Sequence, residues 1–307
     1  MTPNVEVRFE PKRFARRWLG PLFAFACLLA TTVGIVFLVV LLGSVIGMVV
    51  KGTGHETTWE LLSRLVTNVQ SGNPSIAGYR VGLAGTLWLL GIVLCVALPI
   101  GVGAAVFLEE YVPPGRLRRA IQTNIGNLAA VPSIVYGLLG LALFQRGFGF
   151  SRLALGPVAL AGGLTLSLLV LPIVVIATQE ALRTVPNSLR QAALALGASR
   201  WQVIRDHVVP AALPGILTGA ILSLSRAIGE TAPLLMVGAA AAYRRVPTGP
   251  LSRYSALPVE IYNFAKQARP EFKIVTAGGI LLLLALLLTM NAVAIVIRNR
   301  SGLTTRG

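Results

Sequence analysis

The sequence predicts an all-α membrane protein with six transmembrane helices. Of its 307 residues, 55% are hydrophobic and only 12% are charged. Several uncharged runs exceed the length of about 20 residues that a helix needs to cross a bilayer. The basic residues gather in the segments between those runs, so the net charge of +16 indicates loops at a membrane surface and not a nucleic-acid site.

The first apolar run, 20–50, follows a polar tail, 1–19, that contains several basic residues. This run is too long for the core of a signal peptide, and we interpret it as a retained first transmembrane helix. Residues 51–80 are polar and form an outer loop. A core of five helices then occupies 81–297, and residues 298–307 form a second polar tail.

Polar segments divide this core into further apolar runs. The predicted spans are 81–108, 122–145, 155–178, 211–240 and 272–297. The first four of them contain Pro99, Pro132, Pro172 and Pro233, respectively. The span 211–240, the fifth when the run 20–50 is counted first, also carries two small residues four positions apart, Gly215 and Gly219. Membrane helices are generally richer in Pro and Gly, but the set as a whole favours closely packed, kinked helices along a translocation path.

Six spans place both termini and the polar segment 180–210 on one side of the membrane. Lys and Arg are slightly more numerous on that side, so the positive-inside rule predicts cytoplasmic termini.

We do not expect the chain to be an enzyme. Cys27 and Cys95 lie inside apolar runs, and His55 and His207 are isolated, so neither residue type forms a catalytic or metal-ligand set. The sequence also lacks a Gly-Lys-Ser/Thr loop for nucleotide phosphates.

The segment 180–210 is too polar for the membrane interior, yet it carries helix signatures. Two capping boxes are suggested by Ser188 with Gln191 and by Ser199 with Gln202. Gly197 lies between them, where a helix end favours a left-handed residue. We predict two short helices, about 189–196 and 200–209, the second closed by Pro210.

The first of these helices has a narrow apolar face formed by Leu189, Ala192, Ala193 and Leu196. Such a face suits a groove on another protein. It would also suit the headgroup layer of a lipid membrane, and the pattern alone does not separate the two.

The same segment resembles the cytoplasmic "EAA" loop of type I ABC-importer permeases. The matching residues are Gln191-Ala192-Ala193, Gly197 and Leu213-Pro214, with Gln191 in the position where that family usually has Glu. The resemblance implies a type I permease fold with cytoplasmic coupling helices that dock on an ATPase. The residues it implies for this contact are Glu180, Leu189, Gln191, Ala192, Ala193, Leu196 and Gly197.

A charged pair lies inside the predicted fifth span. Arg226 and Glu230 are four residues apart and so share a helix face, with Thr231 beside them. An Arg at the centre of a membrane helix costs about 2.5–3.5 kcal/mol on insertion scales, which a pair facing protein or water can offset. The pair is either a polar contact between helices or part of a path for an anion, and we favour the second because intramembrane charges usually mark function.

Three further stretches resemble the permease of the phosphate-specific ABC importer, in particular its PstA-type subunit. They are NIGNLAAVPSIVYGLLG at 124–140, RAIGETAPLL at 226–235, and the run at 256–262. The resemblance implies a bacterial cytoplasmic membrane location, a companion permease subunit, two ATP-binding subunits that hold the ATP and Mg²⁺, and an extracytoplasmic phosphate-binding protein. No cofactor is expected on this chain itself, and its remaining surface is expected to meet membrane lipid.

Two alternatives remain open from the residues alone. The chain could be a permease of the same architecture for another oxyanion or small solute. It could also be a secondary transporter or channel without an ATPase, a class that often shows internal repeats with broken helices. No convincing repeat is visible, and the capped two-helix loop has no obvious use in such a protein.

Overall fold

The computed structural model describes residues 13–52, 57–150, 152, 154–239 and 243–304. Most of the predicted tail 1–19, the end of the predicted tail 298–307, and His55 therefore lie outside the described residues. Within the described part, regular structure is helical apart from one isolated bridge between Val158 and Arg253. Five described helices are long and apolar enough to cross a membrane, and a bent helix pair gives a sixth if it counts as one span. The predicted all-α membrane fold is confirmed.

The chain divides into two compact units, Met1–Gly52 and Thr53–Gly307. The first unit contains helix α1, Arg13–Gly52, whose apolar stretch Gly20–Lys51 is long enough to span a bilayer. Most large apolar side chains of this stretch are exposed. Such a surface suits contact with lipid acyl chains, because in water it would be costly.

The second unit begins with a short helix that the sequence analysis placed in a polar loop. Helix α2, Thr58–Thr67, starts with a capping box in which Thr57 and Glu60 satisfy each other's backbone N–H groups. Its apolar side buries Leu61 and Leu65. Helix α3, Arg80–Val106, follows and continues through a π-turn, Phe107–Tyr111.

The predicted third span, 122–145, is not one straight helix. The structure forms α4, Arg116–Ala129, then α5, Ser133–Gly140, which extends through a π-turn, Leu141–Gln145. The two parts meet at an angle of 96°. Pro132 caps the start of α5, and a proline disfavours helical backbone at the residue before it, so the chain breaks here instead of bending gently.

Helix α6, Ala159–Arg183, leads into the polar segment. There the chain forms α7, Asn187–Ala195, and then a continuous helix, Arg200–Gly229. That helix consists of α8, Arg200–Gln202, a π-turn, Val203–Val208, and α9, Val209–Gly229. Small residues bring α9 close to α6, since a Cβ added at Gly215 would lie 2.7 Å from that of Ala181.

The predicted fifth span, 211–240, also breaks. Helix α9 ends at Gly229, and the short helix α10, Ala232–Met236, begins after a gap of two residues. Pro233 belongs to the first turn of α10, where its missing N–H has no helical partner to lose. Helices α11, Leu257–Ala265, and α12, Phe272–Thr304, complete the unit.

The main buried cluster of the second unit centres on α3 and α6. Leu89 and Val93 of α3 pack with Leu166 and Val170 of α6. Tyr136 of α5 and residues of α9, α10 and α11 join the same cluster. The break between α9 and α10 therefore rests on the core, while the polar segment lies at the far end of α6.

Candidate functional site

The loop between α6 and the continuous helix, residues 184–199, has a defined conformation. Gly197 has φ +86°, a left-handed value that favours glycine, so the expected helix-ending role is confirmed. The Ser199 side chain accepts a hydrogen bond from the Gln202 N–H, and the Ser199 N–H donates one to the Gln202 Oε1 at 2.8 Å. The second capping box is thus also confirmed.

Two expectations about this loop are wrong. Ser188 does not cap α7, because the helix starts at Asn187, two residues before the predicted start at 189, with Pro186 at the N-cap position and no side-chain cap. Pro210 does not close the second helix, because it lies in the first turn of α9, where the backbone leaves the π-turn and continues as α-helix to Gly229.

The apolar residues predicted for one face of α7 divide between two sides. Leu189 and Ala193 pack inward, against a cluster that includes Leu182 and Val208. Gln191, Ala192 and Leu196 point outward, and Leu196 is 90% exposed. Leu196 is the C-cap residue of α7 and follows the last helical residue, Ala195.

Further exposed apolar side chains flank Leu196. They belong to Leu194, at the end of α7, and Trp201, at the start of the continuous helix. Large apolar side chains that cluster on a polar loop indicate a contact surface for another molecule.

Charged residues fix this loop to the ends of the spans. Glu180, at the end of α6, pairs with Arg183 at 2.8 Å and is largely exposed. Arg190 of α7 reaches Glu110, at the end of α3, with 2.8 Å between Nη2 and Oε1. The sequence analysis did not find this second pair, because its partners are 80 residues apart and only the fold brings them together.

Arg226 and Glu230 form the predicted contact at 3.3 Å between Nε and Oε1. Their setting differs from the expectation of a mid-span helix. Arg226 occupies the last turn of α9, and Glu230 is its C-cap with extended backbone, followed by Thr231 before α10 begins. The Arg226 side chain is 45% exposed on this chain and that of Glu230 is 17% exposed.

The two breaks in the membrane helices lie against each other. A Cβ placed on Gly137 of α5 would lie 2.6 Å from the Cα of Pro233 in α10, so only a glycine permits this approach. Irregular backbone at membrane depth is stable only where protein or a water-filled cavity covers it, and α5 provides part of that cover.

A buried carboxyl lies outside the membrane spans, on α11. Glu260 is fully buried beside Gly82 of α3, and burial raises the pKa of its carboxyl to about 8. The Ser255 hydroxyl and the Gly82 N–H oppose that rise in pKa, but neither makes a hydrogen bond of normal geometry with the carboxyl. Elsewhere in the described residues, no three His, Cys, Asp or Glu side chains are grouped as metal ligands would be.

The family described as "Binding-protein-dependent transport system inner membrane component" matches residues 97–301. The chain belongs to this family. It is therefore a multi-span permease subunit of an ABC importer in the inner membrane, a class in which a partner subunit carries the ATPase. The match covers both the polar loop and the break at Glu230.

Similar proteins include permeases with and without a stated substrate. This permease is 33% identical over 247 residues to the probable ABC transporter permease protein YqgI of Bacillus subtilis, which covers 76% of this chain and 82% of that protein. It is 42% identical over 160 residues to the phosphate transport system permease protein PstA 1 of Mycobacterium tuberculosis, covering 52% and 51%. It is 30% identical over 252 residues to the phosphate transport system permease protein PstC of Haemophilus influenzae, covering 74% and 76%.

A solved structure shares the fold. The permease aligns with a chain of a bacterial alginate ABC transporter, crystallised with an alginate pentasaccharide-bound periplasmic protein, at a TM-score of 0.64. The alignment covers 92% of this chain and 94% of that chain at 20% identity, which shows the fold alone.

Proposed function

We propose that this permease is the PstA-type half of a heterodimeric pore that imports inorganic phosphate. The names of the PstA and PstC relatives support phosphate as the substrate. In this proposal a companion permease completes the pore and an extracytoplasmic protein delivers phosphate. Two ATP-binding subunits, which hold the ATP and Mg²⁺, lie on the cytoplasmic side with both termini of this chain.

The observation that carries the proposal is the position of Arg226. A guanidinium at a break between membrane helices, partly exposed on this chain, cannot face acyl chains without a large cost. It therefore faces another protein subunit or water. An oxyanion that loses hydration in a narrow path needs such a group, and the planar fork of Arg binds phosphate oxygens in pairs.

Glu230 and Thr231 have supporting roles in this proposal. Glu230 holds the guanidinium in place between transport events through the contact at 3.3 Å. It also competes with the anion, so that phosphate is bound weakly enough to leave. Thr231 adds a hydroxyl at the same break.

The loop after α6 is the proposed docking surface for the ATPase. Its outward residues, Gln191, Ala192 and Leu196, form the contact, and Gly197 sets the angle between α7 and the continuous helix. Leu189 and Ala193 support this surface from inside, and Glu180 flanks it. Helix-in-groove docking needs both an apolar surface and a rigid support, and this loop has both.

Uptake of radiolabelled phosphate into vesicles tests the proposal, with equal amounts of assembled importer in each sample. Excess unlabelled phosphate, but not sulfate, should block uptake by the wild-type complex. Arg226→Gln should lower uptake at least tenfold, and Arg226→Lys should restore part of it, since an ammonium keeps the charge but not the fork.

The outcomes separate two errors. A wild-type complex that takes up no phosphate would refute the substrate. Wild-type uptake by Arg226→Gln would instead show that the pair with Glu230 is only a contact between helices.

A further inference from the structure

The end of α3 carries two adjacent carboxylates, Glu109 and Glu110, in the π-turn Phe107–Tyr111. Each is bound by arginines from other elements. Glu109 pairs with Arg118, at the start of α4, and with Arg183, at the end of α6. The end of α3 is therefore tied to two neighbouring spans.

Glu110 contacts the loop between α6 and the continuous helix, residues 184–199, which is called the coupling loop from here on. Arg190 of α7 donates from Nη2 to Oε1 at 2.8 Å, and its Nε lies 3.2 Å from Oε1 and 3.3 Å from Oε2 of the same carboxylate. This is a forked contact, the strong form of an Arg–carboxylate pair. The two side chains are only 18% and 10% exposed, so solvent screens the contact little.

Arg190 also binds the chain that precedes α7 and the first residue of α7. Its Nη1 donates to the Val185 carbonyl at 2.7 Å and to Asn187 Oδ1 at 3.2 Å, and its Nη2 donates to the Leu182 carbonyl at 3.0 Å. One side chain thus joins α7, the end of α6 and the end of α3. A lysine, with a single ammonium, cannot make all these contacts at once.

A second tie comes from the other side of Gly197. Arg200, at the start of the continuous helix, donates to the Glu110 carbonyl and lies over the Tyr111 ring at 5.3 Å. Both sides of the coupling loop therefore hold the same point on α3.

We infer that the Glu110–Arg190 pair is a main contact through which movement of the coupling helix α7 reaches α3, beside the apolar cluster that α7 shares with Val102 and Val106. The chain after α7 turns at Gly197, and glycine has the most flexible backbone of all residues. Movement of α7 would therefore be transmitted only weakly through the peptide backbone. The forked pair makes α7 and the end of α3 move together. Arg190 is a positioning residue in this scheme, and the inference rests on the proposed ATPase docking of the loop.

The test compares Arg190→Gln with a matched control, Arg205→Gln. Arg205 lies in the π-turn Val203–Val208 of the continuous helix, is 63% exposed and pairs only with its neighbour Asp206 in the contacts that the structure describes. Both variants remove one positive charge, but only the first cuts a tie between elements. Each is assembled into the complete importer in proteoliposomes, and phosphate uptake per ATP hydrolysed is measured.

We expect Arg190→Gln to hydrolyse ATP while its uptake per ATP falls at least fivefold, and Arg205→Gln to keep the wild-type ratio. Arg190→Lys should lie between the two. A purely structural role would lower the amount of assembled complex and leave the ratio per complex unchanged. A wild-type ratio in assembled Arg190→Gln would overturn the inference.

Hydrogen exchange of α3 and α7 tests the inference without any assumption about substrate. In the wild-type complex, trapping with ATP and vanadate should change amide exchange both in α7 and at the end of α3. In Arg190→Gln the change at α3 should become clearly smaller while that in α7 persists. If wild type fails to import phosphate but this pattern holds, only the proposed substrate is lost. If the α3 change in Arg190→Gln is as large as in wild type, the Glu110–Arg190 pair does not transmit movement.

Discussion

Substitutions at Gly197 can distinguish the effect of backbone strain from the effect of a lost contact with the ATPase. Its φ of +86° is unfavourable for any residue with a Cβ, and the cost of a side chain there is roughly 1–2 kcal/mol. A Cβ built at this position meets no heavy atom within 4 Å, so within this chain the substitution adds no steric clash. Within this chain, the free-energy cost of Gly197→Ala therefore comes only from the unfavourable backbone conformation.

A cost of that size changes the population of the native turn by roughly 5- to 30-fold. The turn is also held by the Ser199 cap, so Gly197→Ala should assemble normally and lose only part of its coupling. Gly197→Asn should lose less, because Asn tolerates the left-handed region. Gly197→Glu has the same backbone cost as Ala but adds bulk and charge at the proposed docking surface, so it should abolish the stimulation of ATP hydrolysis by the loaded binding protein.

The assay is ATP hydrolysis by purified, reconstituted complexes, with and without the binding protein and phosphate. Membrane insertion and the amount of bound ATPase are measured in parallel for all three variants. Normal stimulated hydrolysis in Gly197→Glu would refute the docking of this loop on the ATPase. Equal defects in Gly197→Ala and Gly197→Glu would show that backbone strain alone explains the effect.

Three other substitutions test separate parts of the permease. Gln191→Glu restores the residue usual in the EAA loop at an exposed position, so uptake should stay within about twofold of wild type, and complete loss would contradict the alignment. Gly137→Val should force α5 away from α10 and lower uptake by the assembled complex at least tenfold. The control Gly126→Val should not lower uptake, because a Cβ at Gly126 meets nothing within 4 Å. Equal uptake by both variants would contradict the close approach of α5 and α10. Glu260→Gln should remove a pH-dependent loss of stability. Because the pKa of Glu260 is raised in the folded protein, the wild-type fold loses stability as the pH rises from about 4.5 to about 8, by up to about 1.4 kcal/mol per pH unit. Thermal unfolding temperatures at pH 5.5 and pH 8 should therefore differ less for the variant than for wild type.

Local rules predicted those features of the loop that depend on near neighbours. The Ser199 cap and the left-handed Gly197 formed as expected, because each depends on residues within three positions along the chain. Ser188 did not form a cap, because α7 already begins at Asn187, directly after Pro186.

The sequence predicted that prolines interrupt the spans, and this is correct for Pro132 and Pro233 but wrong for Pro99 and Pro172, which lie inside the continuing helices α3 and α6. Pro132 and Pro233 start new helices after a full break, whereas Pro210 lies in a helix that continues. The difference depends on whether the backbone N–H that proline lacks would have had a partner. That partner is fixed by the π-turn and by packing on other elements, neither of which a single sequence displays.

Contacts between distant parts of the chain lay beyond sequence reasoning. Glu110 and Arg190 were visible only as charges near predicted membrane ends, and no spacing rule joins residues 80 positions apart. Glu260 was likewise an ordinary charge in a polar segment, and only the fold shows that it is fully buried. Arg226 and Glu230 could be paired from sequence because they are only four residues apart, although Glu230 is the C-cap of α9 and does not lie inside the helix.

In the proposed importer, the continuous helix Arg200–Gly229 would act as a lever arm. Its 30 residues, at about 1.5 Å each, give a rod about 45 Å long with the coupling loop at one end and Arg226 near the other. A tilt of about 5° around the loop end would displace the far end by about 4 Å. Hydrogen bonds to an oxyanion are lost over about 1 Å, so a rotation this small is enough to bring the guanidinium into reach of an ion or to withdraw it.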